Sequence, residues 1–305
     1  MKKNLYLLIF TAALLICVSI APSTLGIKKD CYNSINFNLL GSTLYVGGSG
    51  PGNYTKIQDA INDSSDGDTI FVYDDNSPYY ENLLINKSIS LIGENKETTV
   101  IDGSGSNNII LIMLCDNVQL RGFTIRNTSR SKIDWDYVTG VGIKLLAAKF
   151  CNISDMIITD TDIGIHLLNY IWLEFTYGNT IFQNVFTKNT FGIALDWGSG
   201  QTTILNNLFR LNWHGIIIIT TNFNTIMKNN FLWNLRSVSL RPDIIWPEGD
   251  PLDELDHNKW SMNYWGRHKY LHPILGRARV VYDHASWYVR FIEVDWNPAK
   301  KPYDI

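Results

Sequence analysis

Four segments of this chain can be laid over one another: Cys151 to Leu167, Thr180 to Leu195, Thr203 to Ile218 and Thr225 to Trp233. Each carries an Ile and then an apolar pair five residues on. The leading Ile falls at 153, 181, 204 and 226, so the spacings are 28, 23 and 22 residues, the mark of a structural repeat. A unit this short cannot shield its own apolar half from water. It has to stack on a neighbour.

The composition of one unit says how. The run Gly192–Leu195 alternates, sending Ile193 and Leu195 to one side and Ala194 and Asp196 to the other. No unit holds a stretch long enough for a helix, so only winding the chain into a coil, with the next coil about 4.8 Å away, buries the apolar side. Asn184, Asn207 and Asn229 share one offset, and Asn189, Asn212 and Asn234 share another. Both columns are expected at bends, where stacked amides bond to one another. Gly164, Gly192 and Gly215 mark the start of the following strand, with Gly142 in the same place one unit earlier. The expected fold is all-β, a right-handed parallel β-helix.

These units resemble those of the parallel β-helix repeat family within the pectate-lyase-like superfamily, including the NosD-like and carbohydrate-binding or sugar-hydrolase-type repeats. The likeness covers roughly residues 45 to 235. The opening from Val46 through Ile61 to Val72 is similar to the entry of that family, a short helix and then a strand. Its chemistry agrees: Thr55 and Gln58 read as a capping box, and Ile57, Ala60 and Ile61 form one apolar stripe, so the helix can cap the open end of the stack.

The expected organisation is a signal segment at 1–26, an approach and cap at 27–68, coils at 69–235 and an aromatic C-terminal cap at 236–305. Lys2 and Lys3 followed by an apolar run from Leu5 to Ile20 read as a secretory signal, or as an anchor if retained. Either way the body is expected outside the cytoplasm, secreted or on the cell surface, or in the periplasm of a diderm bacterium, with membrane contact only through that segment. Without residues 1–26 the balance is 24 basic to 29 acidic residues, which argues against nucleic acid as a partner. A monomer is expected. Cys115 and Cys151 lie just before Val118 and Ile153 on adjacent coils, where a disulfide and two buried thiols are both open.

Two insertions, Ser129 to Thr139 and Asn169 to Gly178, lengthen their coils and bring Trp135, Tyr137, Tyr170, Trp172, Phe175 and Tyr177. Counting from each Gly, the outward column is Lys144, His166, Ala194 and Ile217, followed two residues on by Leu146, Leu168, Asp196 and Ile219. A groove with Lys144, His166 and Asp196, bordered by Tyr170, Trp172 and Trp197, would suit a polysaccharide or glycoconjugate: rings offer flat apolar faces and ionisable groups orient hydroxyls. The competing reading is that these are ordinary solvent-facing residues.

Catalysis has less support. Related β-helix enzymes act as polysaccharide lyases or hydrolases through acidic clusters, with Ca²⁺ as a cofactor only for a lyase. Asp155, Asp160 and Asp162 lie close together, but at a bend, and neither an Asp-Asp nor an Asp-Pro-His-Asp signature is present. The tail holds five of the ten tryptophans and four of the six histidines. Its segment Asn258 to Gly266 resembles the signature that closes many NosD-like chains, and Asp295 to Ile305 resembles a recurrent archaeal ending. Some such relatives are copper-handling accessory proteins, and His268 and His272, four apart, would share a face if that piece were helical, with His284 or Asp283 completing a shell. Pro273 directly after them and the small number of methionines give no copper-rich signature.

Overall fold

The computed structural model describes residues 41–129, 140–169, 175–196, 199–219, 221, 223–240, 243–245, 258–266, 272–282, 285–295 and 297–305. They form a right-handed parallel β-helix of about seven coils. Three parallel sheets run along it. Sheet 1 has nine strands, from Thr43–Val46 to Lys259–Ser261; sheet 2 has six, from Val100–Ser106 to Asn230–Leu232; sheet 3 has ten and begins at Leu83–Ile85.

The repeat stacks in register. In sheet 1, Ile153 pairs with Ile181, Ile181 with Ile204 and Ile204 with Ile226. In sheet 2, Ile158, Phe186, Phe209 and Phe231 form the equivalent row. The last three stack ring on ring at 4.9 Å, and Trp265 continues the pile at 4.5 Å from Phe231. These side chains belong to one buried core. Each contributes about 1.5–3 kcal/mol by leaving water, a gain no isolated coil could make.

The corners explain the rest of the repeat. Non-glycine residues with positive φ recur there: Asp155, Gln183, Asn206 and Lys228 between sheets 1 and 2, and Asp160, Lys188, Leu211 and Trp233 between sheets 2 and 3. From Gln183 and Lys188 onward an Asn follows each, buried except for the half-buried Asn234, and its amide bonds across coils. Asn184 donates its Nδ2 to Asn207 Oδ1 at 3.1 Å, Asn207 to Asn229 at 3.0 Å, and Asn229 to Asn263 at 3.0 Å. Asn263 then donates to Asp295 Oδ2, where the ladder ends. Asn189, Asn212 and Asn234 make the second column. A third, Asn224 onto Asn258, has too few members to stand out in the sequence.

The column glycines need no unusual φ. A Cβ on Gly192 would lie 2.5 Å from the Gly215 carbonyl oxygen and 2.9 Å from the Phe209 ring, so it is closeness between coils that requires Gly. They sit second in their strands, inside the coil, rather than at a turn.

Both ends depart from expectation. The helix α1 (Ile57–Asp63) does bury Ile57, Ala60 and Ile61, but Thr55 and Gln58 form no capping box. Instead the Glu81 carboxylate accepts from the Ile57 and Gln58 N–H groups at 2.9 and 3.0 Å. Coils also extend beyond 69–235, since Thr43–Val46 opens sheet 1 and Trp260 pairs with Ile226. Trp260 and Trp265 are thus core residues of a further coil, not only a lid. The tail holds an antiparallel hairpin, His272–Tyr282 with Ala285–Asp295, whose first strand joins sheet 3. Tyr303 is strapped back by two bonds with the Asn230 side chain.

Candidate functional site

Sheet 3 carries the predicted site residues on Val141–Leu146, Ile163–Leu168 and Phe191–Asp196, with His214–Ile219 beyond. Alternation sends Ile143, Ile165, Ile193 and Ile216 inward. The outward row is Lys144, His166, Ala194, Ile217 and Ser239, in direct register. Lys144 therefore neighbours His166, and Asp196 lies one outward position along from Ala194.

This face is not an open groove. Val141, Ile163, Phe191, Ala194 and Ile217 form a second buried apolar cluster, with Ile219 packed against it. His166 is 2% exposed and Asp196 5%, so they do not face solvent as ordinary surface residues. The sequence held a signal for this that alternation alone hides: Ile216 to Ile219 is a continuous apolar run, as expected of a strand covered on both sides.

Within that cover sits a polar pair. His166 Nε2 lies 3.6 Å from Asp196 Oδ2, too far for a hydrogen bond. Neither ring nitrogen of His166, nor Asp196 Oδ1, has a hydrogen-bond partner, although all three are fully enclosed. Burial holds the imidazole pKa below its ordinary value, against the opposing pull of the Asp196 carboxylate. It also lowers that of Lys144, which is half-buried.

Other groups on and beside this face were not legible in the repeat. The Asp196 N–H donates to Ser199 Oγ at 3.0 Å, and Ser199 donates on to the Leu167 carbonyl, pinning the strand end that presents the carboxylate. Thr221 donates to the Ser199 carbonyl and Thr176 to that of Leu168. His214 stacks on Phe191 at 4.9 Å and shares a 2.7 Å bond with Ser239 through Nδ1.

Tyr170, Trp172 and Trp197 lie outside the described residues, as does His268. His272 opens a strand, so it takes no part in a helical pair. The three aspartates of the bend do not build a site together: Asp155 pairs with Lys96 at 2.8 Å, Asp160 occupies a positive-φ corner beside Thr159, and Asp162 is buried before Ile163. Cys115 and Cys151 are free, buried thiols, and burial pushes them up to about 11 and about 12. The bridge is not formed.

The family model described as "Periplasmic copper-binding protein (NosD)" matches residues 61–269, most of the coil stack. The chain belongs to the NosD family. Among solved structures, this NosD-family chain is similar to a pectin methylesterase in complex with hexasaccharide VII, at 16% identity over 65% of this chain and 70% of that one, with a TM-score of 0.44. YbhC of Escherichia coli is 13% identical over 80% and 77% of the two chains, with a TM-score of 0.43. Pectin methylesterase from carrot is 12% identical over 80% and 84%, with a TM-score of 0.32. No curated protein matches the chain. Among the described residues no helix is long and apolar enough to cross a membrane.

Proposed function

We propose that this NosD-family chain is an extracytoplasmic, noncatalytic binding protein that holds a carbohydrate group against the outer face of sheet 3, over Lys144, His166 and Asp196. A periplasmic family and a leader-like N-terminal segment support the location. One observation carries the ligand: three enclosed polar atoms of His166 and Asp196 lack partners. Buried polar groups are nearly always hydrogen-bonded, and each orphan costs about 1–3 kcal/mol. A sugar hydroxyl both donates and accepts, so a neutral imidazole, a carboxylate and an ammonium on one face match a run of hydroxyls. Because the face is covered, the reading suits a terminal sugar or the end of a short chain better than a long polymer lying in an open groove.

The family description raises copper. Among the described residues no three His, Cys, Asp or Glu side chains converge, and the two cysteines are inward-facing protonated thiols. A copper centre needs more ligands than the His166–Asp196 pair supplies, so those residues do not fit one by themselves. A lyase or hydrolase would want a second carboxylate or a basic partner at the reacting bond, and Asp155, Asp160 and Asp162 are engaged elsewhere.

A panel of polysaccharides and oligosaccharides, scored for binding and for product release, tests this. Binding of at least one glycan, lost in His166→Leu and Asp196→Leu and in Trp172→Ala, with no reducing ends or unsaturated sugars released, is the expected result. Product release abolished at Asp196 would replace it with an enzyme. Binding unchanged in all three variants would remove the site.

A further inference from the structure

The corner between sheets 2 and 3 changes character along the stack. On one coil it carries Thr159 and Asp160, and on the next three it carries Lys188, then Arg210, Leu211 and Trp213, then Trp233, Leu235 and Arg236. These are neighbours. Leu211 donates its N–H to the Leu232 carbonyl, Leu235 donates to that of Asn212, and Arg236 to that of Trp213. The Arg210 guanidinium lies 5.9 Å from the centre of the Trp233 ring.

Nothing in the fold calls for this composition. Trp233 is 74% exposed, Leu235 64%, Trp213 59% and Leu211 44%, on a corner where other coils place Asp or Lys. Trp233 and Leu211 also occupy positive-φ positions, at 52° and 57°, which bulky residues seldom adopt. Lys188, Arg210 and Arg236 are exposed and, among the described residues, have no carboxylate partner. The strip thus combines two indoles, two leucines and three exposed cations.

We infer that this corner is a docking ridge for the surface of an anionic lipid bilayer. Its shape decides the class of partner. A bend in a solenoid is convex, whereas sites for sugars and other small ligands are concave. A convex strip of Trp and Leu is suited to a surface that yields around it, with indoles at the headgroup level, leucines deeper, and cations against anionic headgroups. It is separate from the covered face of His166 and Asp196, and stands whether or not that face binds sugar.

The test uses the full chain. Hydroxyl-radical footprinting with residue-level mass spectrometry reads the ridge directly, so binding through the apolar N-terminal run does not confuse it. With vesicles containing phosphatidylglycerol, oxidation of Trp213 and Trp233 should fall several-fold, while Tyr80, 68% exposed on an early coil, keeps its rate. Phosphatidylcholine vesicles should protect little. Each cation is worth about fivefold in partitioning, so Arg210→Gln with Arg236→Gln should weaken the ridge's engagement about 25-fold while circular dichroism stays unchanged. Unaltered oxidation of both tryptophans, or equal protection on the two vesicle types, would overturn the inference. So would protection by a soluble acidic polysaccharide such as alginate without vesicles, which would make the partner a glycan.

Discussion

Two kinds of buried polar residue occupy this coil stack, and they differ in how they are paid for. Asn184, Asn207 and Asn229 are fully buried, yet each amide bonds to coils on both sides, so enclosure costs little. His166 and Asp196 are nearly as deep and lack that compensation. The imbalance has a pH signature. Burial depresses the His166 pKa from its ordinary 6.5, so below that pH the unfolded chain takes up a proton that the folded chain resists. The unfolded state then binds more protons, and stability falls as pH drops, by at most about 1.4 kcal/mol per pH unit for one group. Urea unfolding at pH 7.5, 6.5 and 5.5 should show this slope in the wild type and a shallower one in His166→Leu. Equal slopes would mean that folding leaves the imidazole pKa unshifted. The Asn columns were readable because one corner recurs in successive coils from Asn184 and Asn189 onward. The pair was readable by position but not by burial, because nothing local says what covers an outward face.

At the scale of elements, α1 shows how a local motif can be outbid by a distant one. Thr55 and Gln58 have the spacing of a capping box, but Gln58 instead bonds Asn62 and the Leu84 backbone, while Glu81 reaches the helix N-terminus. A carboxylate there accepts two otherwise orphaned N–H groups and meets the positive end of the helix dipole. Glu81→Ala should therefore lower stability by about 1 kcal/mol, and Thr55→Ala should be nearly neutral. Thermal unfolding of the two variants separates the cases; a larger loss at Thr55 would restore the capping box. Spacing in the sequence identified the helix and its buried stripe correctly. It could not identify the cap, because Glu81 comes from the following coil.

For the whole molecule, the critical places are the ends. Every interior coil is covered by its neighbours, but the last has an apolar face and strand edges with no successor. Trp265 meets that need by stacking on Phe231 and donating its Nε1 to Asp295 at 3.0 Å, the same carboxylate that terminates the Asn ladder. Trp265→Ala should cost about 3–5 kcal/mol and open the end of the stack. Light scattering coupled to size exclusion would then report end-to-end association. A variant as stable and as dispersed as the wild type would show that the hairpin and the Tyr303 strap close the end unaided.

The repeat, the inward apolar column, the corner amides and the parallel coil are all consequences of one local fact, that a unit of about 22 residues has an apolar half and no helix to cover it. The sequence alone was sufficient for those, since each coil repeats the same problem and the same answer. Tertiary structure decided which faces meet water. Alternation divides a strand into two sides but does not say whether chain from elsewhere lies over the outer one, and so it could not foresee a covered His166, an exposed Trp233, or a ladder closed by Asp295 from 32 residues further on.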